Sequence, residues 1–120
     1  MAICAIRGAI TIDKNTKEDI LENTSILLKE IISKNNINID DIISITFTAT
    51  EDIDAAYPAV AARSLNITKA ALLCFQEMKV VGSLKMCIRV MLLVETNKTQ
   101  EQMNHVYLKD AVVLRPDLLN

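Results

Sequence analysis

Apolar residues recur along the chain at two spacings, which predict strands and helices. Ala2–Ile12 is apolar and rich in β-branched residues, and this composition predicts a first strand. Thr16 then suits a helix N-cap, because its hydroxyl can accept a hydrogen bond from the backbone near Asp19. Helical spacing continues from there, so we expect an amphipathic helix that ends at Asn35-Asn36. Its expected buried face consists of Ile20, Thr24, Leu27, Leu28 and Ile31.

The middle of the chain predicts two strands and a short helix. Residues 42–50 alternate between apolar and hydroxylated side chains, which predicts a strand whose one buried face includes Ile43. Pro58 suits the first turn of a short helix that extends to about Leu65, because a missing N–H costs nothing there. Lys69–Phe75 is predicted as a further strand.

The run Met86–Val94 is almost wholly apolar, with Arg89 as its one charge between the ends. Such a strand is typical of one buried on both faces, so we expect helices or another subunit to cover it. Thr99 can cap a short helix that extends to about Asn104. Together these elements predict one α+β domain over residues 1–120, with helices packed on a mixed β-sheet of roughly four or five strands.

Composition and charge exclude several classes of function. Thirteen Lys and Arg against fifteen Asp and Glu give a net charge of −2, and aromatic residues are 3% of the chain, so we expect no nucleic-acid partner. Two glycines and one histidine cannot form the common nucleotide-binding loops or a histidine metal cluster. The chain shows no basic leader and no apolar run long enough for a membrane span, so neither secretion nor membrane insertion is expected. Three cysteines without a CxxC spacing favour a reducing cytoplasm.

The cations are segregated along the chain. All nine lysines lie in or beside polar stretches, whereas Arg7, Arg89 and Arg115 lie within apolar runs. A guanidinium donates through a planar fork that matches a carboxylate, and burying it unpaired is costly, so we expect each of these arginines to meet an acid or an anionic ligand. One interpretation pairs the first two with Glu77 and Glu95 as structural ion pairs at a subunit interface. The other is a cleft for a small dicarboxylate.

Four polar residues have an ordinary structural explanation beside a functional one. Cys74 suits plain packing in a strand, and Glu77 suits a solvated position just past a strand end. His105 and Tyr107 are two residues apart, so in a strand they would share a face as half-buried residues. None of the four indicates a site by itself.

Three segments taken together closely resemble the AroH-class chorismate mutases, the monofunctional Bacillus-type family. They are IRGAITID, CFQEMKVVGSLKMCIRVM and HVYLKDAVVLRPDL, and the resemblance covers essentially the whole chain. It implies a pseudo-α/β-barrel-like protomer in a homotrimer with active sites between neighbouring subunits. It also implies the Claisen-type rearrangement of chorismate to prephenate, the branch step toward phenylalanine and tyrosine, with no metal or organic cofactor.

The resemblance further implies roles for matching residues. Arg7 would clamp a substrate carboxylate, Tyr107 would hydrogen-bond a carboxylate, and Arg89 would reach both a carboxylate and the ether oxygen of the breaking bond. Cys74 and Glu77 would contact the ring hydroxyl. The remaining residues would form the surroundings of the site: Leu73, Phe75 and Gln76 a strand edge, Tyr57 and Leu114 the apolar walls, and Arg63 and Arg115 the mouth.

A few positions depart from the family pattern. Tyr57 stands where Phe is common, and Val60 stands where Lys is often found, so any cationic help from that position is missing. The segment Ser64–Thr68 is slightly shorter than usual. The chain stops soon after Asp117, where relatives often carry a longer tail over the site, so we expect weaker substrate capture or faster product release.

Two other hypotheses compete with the mutase. One is a small-carboxylate-binding trimer that resembles the imine-deaminase (Rid) group, and the other is a non-catalytic oligomerisation module. The C-x-x-E segment together with Arg7 and Arg89 favours the mutase over the first. The co-occurrence of three matching segments favours it over the second.

Overall fold

The computed structural model describes residues 2–115 and contains a mixed five-stranded sheet in the order β3-β2-β4-β1-β5. β4 is antiparallel to β1 and β2, while the outer strands β3 and β5 run parallel to β2 and β1. This architecture confirms the predicted α+β class. The strands are β1 Ala2–Thr11, β2 Ile42–Ala49, β3 Ala71–Gln76, β4 Cys87–Thr96 and β5 Val106–Leu108; the helices are α1 Lys17–Asn35 and α2 Ala59–Ser64, with short 3₁₀ helices at Ile39–Asp41, Gln100–Gln102 and Lys109–Leu114.

Helix α1 begins and ends where its sequence predicts. Thr16 Oγ1 accepts a hydrogen bond from Asp19 N at 3.2 Å, and Asn36 ends the helix in the left-handed conformation with φ 50°. The expected apolar face is buried throughout. Gly8 of β1 allows this close packing, because a Cβ there would lie 2.8 Å from Ile31 Cδ1. None of the helices within residues 2–115 combines the length and apolar character needed to cross a membrane.

The two faces of the sheet differ in what covers them. Helices α1 and α2 pack on one face, where Ile6, Phe47 and Leu92 are fully buried. Because side chains alternate along a strand, the residues between these lie on the opposite face, which we call the open face. A 3₁₀ helix, Lys109–Leu114, covers one part of the open face, over Ala9 and buried Cys87.

Two expectations from the sequence, on Ile43 and on the helix after Thr99, are corrected by the structure, and a third, on β4, stays a prediction. Ile43 is 37% exposed, because a register irregularity between Ile42 and Ser44 turns Ile42 into the core instead. β4 is not buried on both faces within one chain, since Met91 on the open face is 42% exposed; cover by another subunit stays a prediction. The helix after Thr99 is a single 3₁₀ turn that ends at Gln102.

Candidate active site

The sheet register brings predicted site residues into one row across the open face. Tyr107 of β5 pairs with Ala9 of β1, and Ala9 opposes Arg89 of β4. Arg89 in turn opposes Thr48 of β2. Arg7 lies two residues before Ala9 on the same face, so it is a diagonal neighbour of Arg89, typically about 7–8 Å away. Two guanidinium groups and a phenol therefore belong to one patch.

Arg89 and Glu77 form the central ion pair of this patch. Arg89 Nε lies 3.3 Å from Glu77 Oε1, and the two side chains are 25% and 24% exposed. Within residues 2–115, nothing accepts a hydrogen bond from the buried Nε. The contact is therefore a single point of approach rather than the two-point fork that guanidinium and carboxylate groups can form. Glu77 is thus the acid that the ion-pair interpretation gave as a partner, but it does not engage all the donors of the Arg89 guanidinium.

Three hydrogen bonds fix Glu77 just past the end of β3. Thr48 Oγ1 donates to Oε1 at 2.6 Å, and Met78 N donates to Oε2 at 3.1 Å. The backbone N–H of Glu77 donates to the carbonyl of Ala49 at 2.9 Å. Thr48 was missed as a site residue, and its only signal in the sequence was its place among the hydroxylated positions of β2. Glu77 is a half-buried and hydrogen-bonded carboxylate rather than a solvated rim charge.

The side chain of Arg7 is exposed, which corrects the expectation of a buried guanidinium. Its neighbours Ile6 and Gly8 point to the covered face, so alternation places Arg7 on the open face. Among residues 2–115 no carboxylate forms an ion pair with Arg7, and Glu95, its suggested partner, pairs with neither arginine. The sequence around Arg7 is apolar because the backbone of β1 and the side chains that alternate with Arg7 are buried.

At the β5 end of the patch, the positive charges of Arg7 and Arg115 lie near His105. The backbone N–H of Arg7 donates to His105 Nδ1 at 3.0 Å, so Nδ1 is unprotonated and the ring is neutral. Burial lowers the pKa of His105 below its usual 6.5, and the charges of Arg115 and Arg7 lower it further. Arg115 Cζ lies 5.9 Å from the centre of the Tyr107 ring, a cation–π distance.

An apolar cluster supports the same patch. Tyr107 and Leu114 pack against the buried residues Ala9, Cys87 and Ala111. Burial raises the pKa of the Cys87 thiol, although the charge and hydrogen bonding of Arg89 oppose that shift. The thiol is therefore a neutral packing group, and the role of Leu114 as a wall of the site stays a prediction.

A second group of predicted residues lies at the outer edge of the sheet. Tyr57, Cys74, Phe75 and Gln76 line a cleft of about 550 Å³ beside β3, which we call the edge cleft. The Cys74 side chain packs against the main core. Leu73 and Phe75 point to the open face and are 57% and 53% exposed.

The described chain does not bring every predicted residue together. Arg63 of α2 lines a separate cleft with Leu72, and no described contact joins Arg63 or Tyr57 to the arginines of the open face. The last motif continues into residues 116–120, which lie outside the described residues. The site residues thus form two groups: the arginine patch, which comprises Arg7, Glu77, Arg89, Tyr107, Leu114 and Arg115, and the edge cleft.

Comparisons with known proteins point to one family. Residues 3–118 match the family model described as chorismate mutase type I. The chain is 46% identical over 119 residues to chorismate mutase AroH of Bacillus subtilis (strain 168), which covers 98% of this chain and 94% of that protein. It is 43% identical over 114 residues to chorismate mutase AroH of Thermus thermophilus, with 94% and 93% covered. A solved chorismate mutase from Clostridium thermocellum matches with a TM-score of 0.89 and 52% identity, over 91% of this chain and 97% of that chain.

Proposed function

Because the chain belongs to the chorismate mutase type I family, we propose a route by which its own residues rearrange chorismate to prephenate. The protein is an isomerase of aromatic amino-acid biosynthesis, at the step of the shikimate pathway that leads toward phenylalanine and tyrosine. The same matches do not favour a Rid-like carboxylate-binding trimer or a non-catalytic oligomerisation module.

The single-point contact of Arg89 with Glu77 carries the proposed mechanism. The rearrangement is unimolecular and needs no nucleophile or proton transfer. Breaking of the ether bond runs ahead of formation of the carbon–carbon bond, so negative charge develops on the ether oxygen. Arg89 stabilises that charge, which is larger in the transition state than in the ground state, and so lowers the barrier. Support comes from the 3.3 Å approach at Nε, which leaves the rest of the fork without a carboxylate among residues 2–115.

The other residues of the arginine patch hold the substrate. Chorismate carries two carboxylates, and Arg7 and Tyr107 bind them with Arg115 at the mouth. The exposed Arg7 side chain and the short distance between Arg115 and the Tyr107 ring support this arrangement. Binding at both carboxylates holds the enolpyruvyl arm over the ring in a compact conformer. The conformational entropy of the arm is therefore lost on binding, before the reaction begins. Glu77 and the backbone of Cys74 receive the ring hydroxyl.

The separation of the two residue groups supports a site shared between subunits. We propose a homotrimer in which the edge cleft of one subunit, with Tyr57, closes the arginine patch of the next, while Arg63 from the separate cleft beside Leu72 lies at the mouth of the shared site. Exposed apolar side chains on the open face, such as Leu73, Phe75 and Met91, give such an interface its apolar area. Closed cyclic assembly is the usual way in which homo-oligomers use such surfaces.

Subunit complementation tests the shared site. Arg89→Ala and Tyr57→Asp chains, each defective alone, are unfolded together and refolded at equal amounts. In a closed ring, about a quarter of the sites then combine two intact halves, so activity should return toward that fraction. A mixture no more active than its parents would contradict sharing, as would a monomer in light scattering.

We also place the enzyme in the cytoplasm. The three cysteines are free thiols, and two of them, Cys4 and Cys87, are buried, which fits a reducing compartment. Cell fractionation followed by immunoblotting tests the location, and recovery mainly from the extracellular or membrane fraction would contradict it.

The activity itself is tested with purified protein. Loss of chorismate absorbance is followed while proton NMR detects prephenate as the product. We expect one prephenate for each chorismate consumed, with the same rate when a chelator is present. Consumption without prephenate, or no consumption, would overturn the proposed function.

A further inference from the structure

We infer that Thr48 is a positioning residue that holds the Glu77 carboxylate away from the fork of Arg89. The inference rests on the function proposed above for Arg89. Thr48 itself is placed opposite Arg89 in the neighbouring strand, with its hydroxyl directed at Glu77 rather than at the guanidinium. A threonine that contacts only the carboxylate can still control the electrostatics of the reacting bond.

The hydrogen bonds of the carboxylate explain why Arg89 is not saturated. A carboxylate beside an arginine ordinarily accepts two parallel hydrogen bonds, one on each oxygen. Here Glu77 Oε1 accepts from Thr48 Oγ1 at 2.6 Å, and Oε2 accepts from Met78 N at 3.1 Å. Arg89 approaches only Oε1, through Nε at 3.3 Å. The two other donors therefore fix the carboxylate in the observed orientation, in which Arg89 meets one oxygen and no fork-to-fork pair forms.

Removal of the hydroxyl should release this orientation. In Thr48→Val the shape of the side chain is nearly kept, but Oε1 loses its short hydrogen bond. Glu77 can then turn to form a two-point pair with Arg89, which occupies the donors that the substrate needs and neutralises more of the charge. Because the negative charge on the ether oxygen grows in the transition state, the loss should fall mainly on kcat.

We expect Thr48→Val to lower kcat at least about tenfold, equivalent to about 1.4 kcal/mol, with a smaller change in KM. Thr48→Ser keeps the hydroxyl and should stay within a few fold of wild type. Thr46→Val is the matched control, because Thr46 shares the strand and face, yet its hydroxyl makes no hydrogen bond within residues 2–115. Valine suits a strand and serine keeps the hydroxyl of threonine, so all three variants should fold.

A double-mutant cycle tests whether the effect passes through Glu77. In a Glu77→Ala background the hydroxyl has no carboxylate to hold, so Thr48→Val should cause no further loss. A tenfold loss in both backgrounds would overturn the inference, as would wild-type kcat in the single variant. Equal losses in the Val and Ser variants would also overturn it. An inactive wild-type protein would instead contradict the proposed function, which keeps the two failures distinct.

Discussion

Replacement of Arg89 by lysine tests whether charge alone is enough for catalysis. The ammonium group of lysine keeps the positive charge but lacks the planar fork, and it is a compact, strongly hydrated point charge. Glu77 is the carboxylate within ion-pairing distance of this position in the described chain. A lysine there would place its charge on Glu77 and have no second donor directed to the ether oxygen.

The size of the expected loss follows from this geometry. The side chain of Arg89 is 25% exposed and fixed on a central strand, so it acts as a preorganised donor. Loss of one such donor typically costs about 3–4 kcal/mol of transition-state stabilisation, or about a hundredfold to a thousandfold in kcat. Thermal unfolding of the lysine variant should change little, because its ammonium group keeps an opposite charge beside Glu77.

Initial rates of chorismate consumption by Arg89→Lys and Arg89→Met distinguish the contribution of the positive charge from that of the planar guanidinium fork. We expect the rate to fall from arginine to lysine and again to methionine, while circular dichroism and the unfolding midpoint stay near wild type. Turnover of the lysine variant at the parental rate would refute the mechanism. A loss of folding in both variants would show that Arg89 serves stability, which is also contrary to the expectation.

Three further predictions concern stability and pH. Gly8→Val should lower the free energy of unfolding by about 1–3 kcal/mol in urea titrations, because a Cβ there already lies 2.8 Å from Ile31 Cδ1; unchanged stability would contradict the packing. Because the folded pKa of His105 is lowered, its contribution to stability is fully present above pH 6.5 and is lost as pH falls through the folded pKa; urea midpoints should decline as pH is lowered below 6.5 in wild type, and His105→Gln should lose this decline. Asp52→Ala should cost about 1–3 kcal/mol, because Asp52 accepts the backbone N–H of Met86 on both carboxylate oxygens, and the matched change Asp54→Ala should cost less.

Local rules were enough to predict the longer elements. Helix α1 carries its own N-cap at Thr16 and an apolar face at helical spacing, so no distant contact is needed to locate it. β5 could not be located in the same way, because a three-residue strand exists only through its parallel pairing with β1. The misplaced Ile43 has a similar origin, since alternation alone does not reveal where a strand bulges against its partner.

The candidate site was predictable in its residue types but not in its arrangement. Arginines within apolar runs indicate strands that present a cation, and Arg7 and Arg89 are indeed diagonal neighbours on one face. Whether these side chains are exposed depends on what covers that face of the sheet, and the sequence of a strand does not show this. The sequence did not indicate Thr48 as a site residue, because its proposed role depends on the strand register. The register places Thr48 opposite Arg89 and within reach of Glu77.

The two interpretations of the arginines turn out to be compatible. A structural ion pair and an anion-binding cleft exclude each other only if the carboxylate takes the whole fork. At Arg89 the partner carboxylate is present, and each of its oxygens already accepts one hydrogen bond, from a threonine hydroxyl and from a backbone N–H. Such a pair offsets the cost of placing a guanidinium on a central strand while leaving donors for a dianionic substrate. In the proposed mechanism, Glu77 stabilises the free enzyme, and the part of the fork that it leaves unpaired is the part that would meet the substrate.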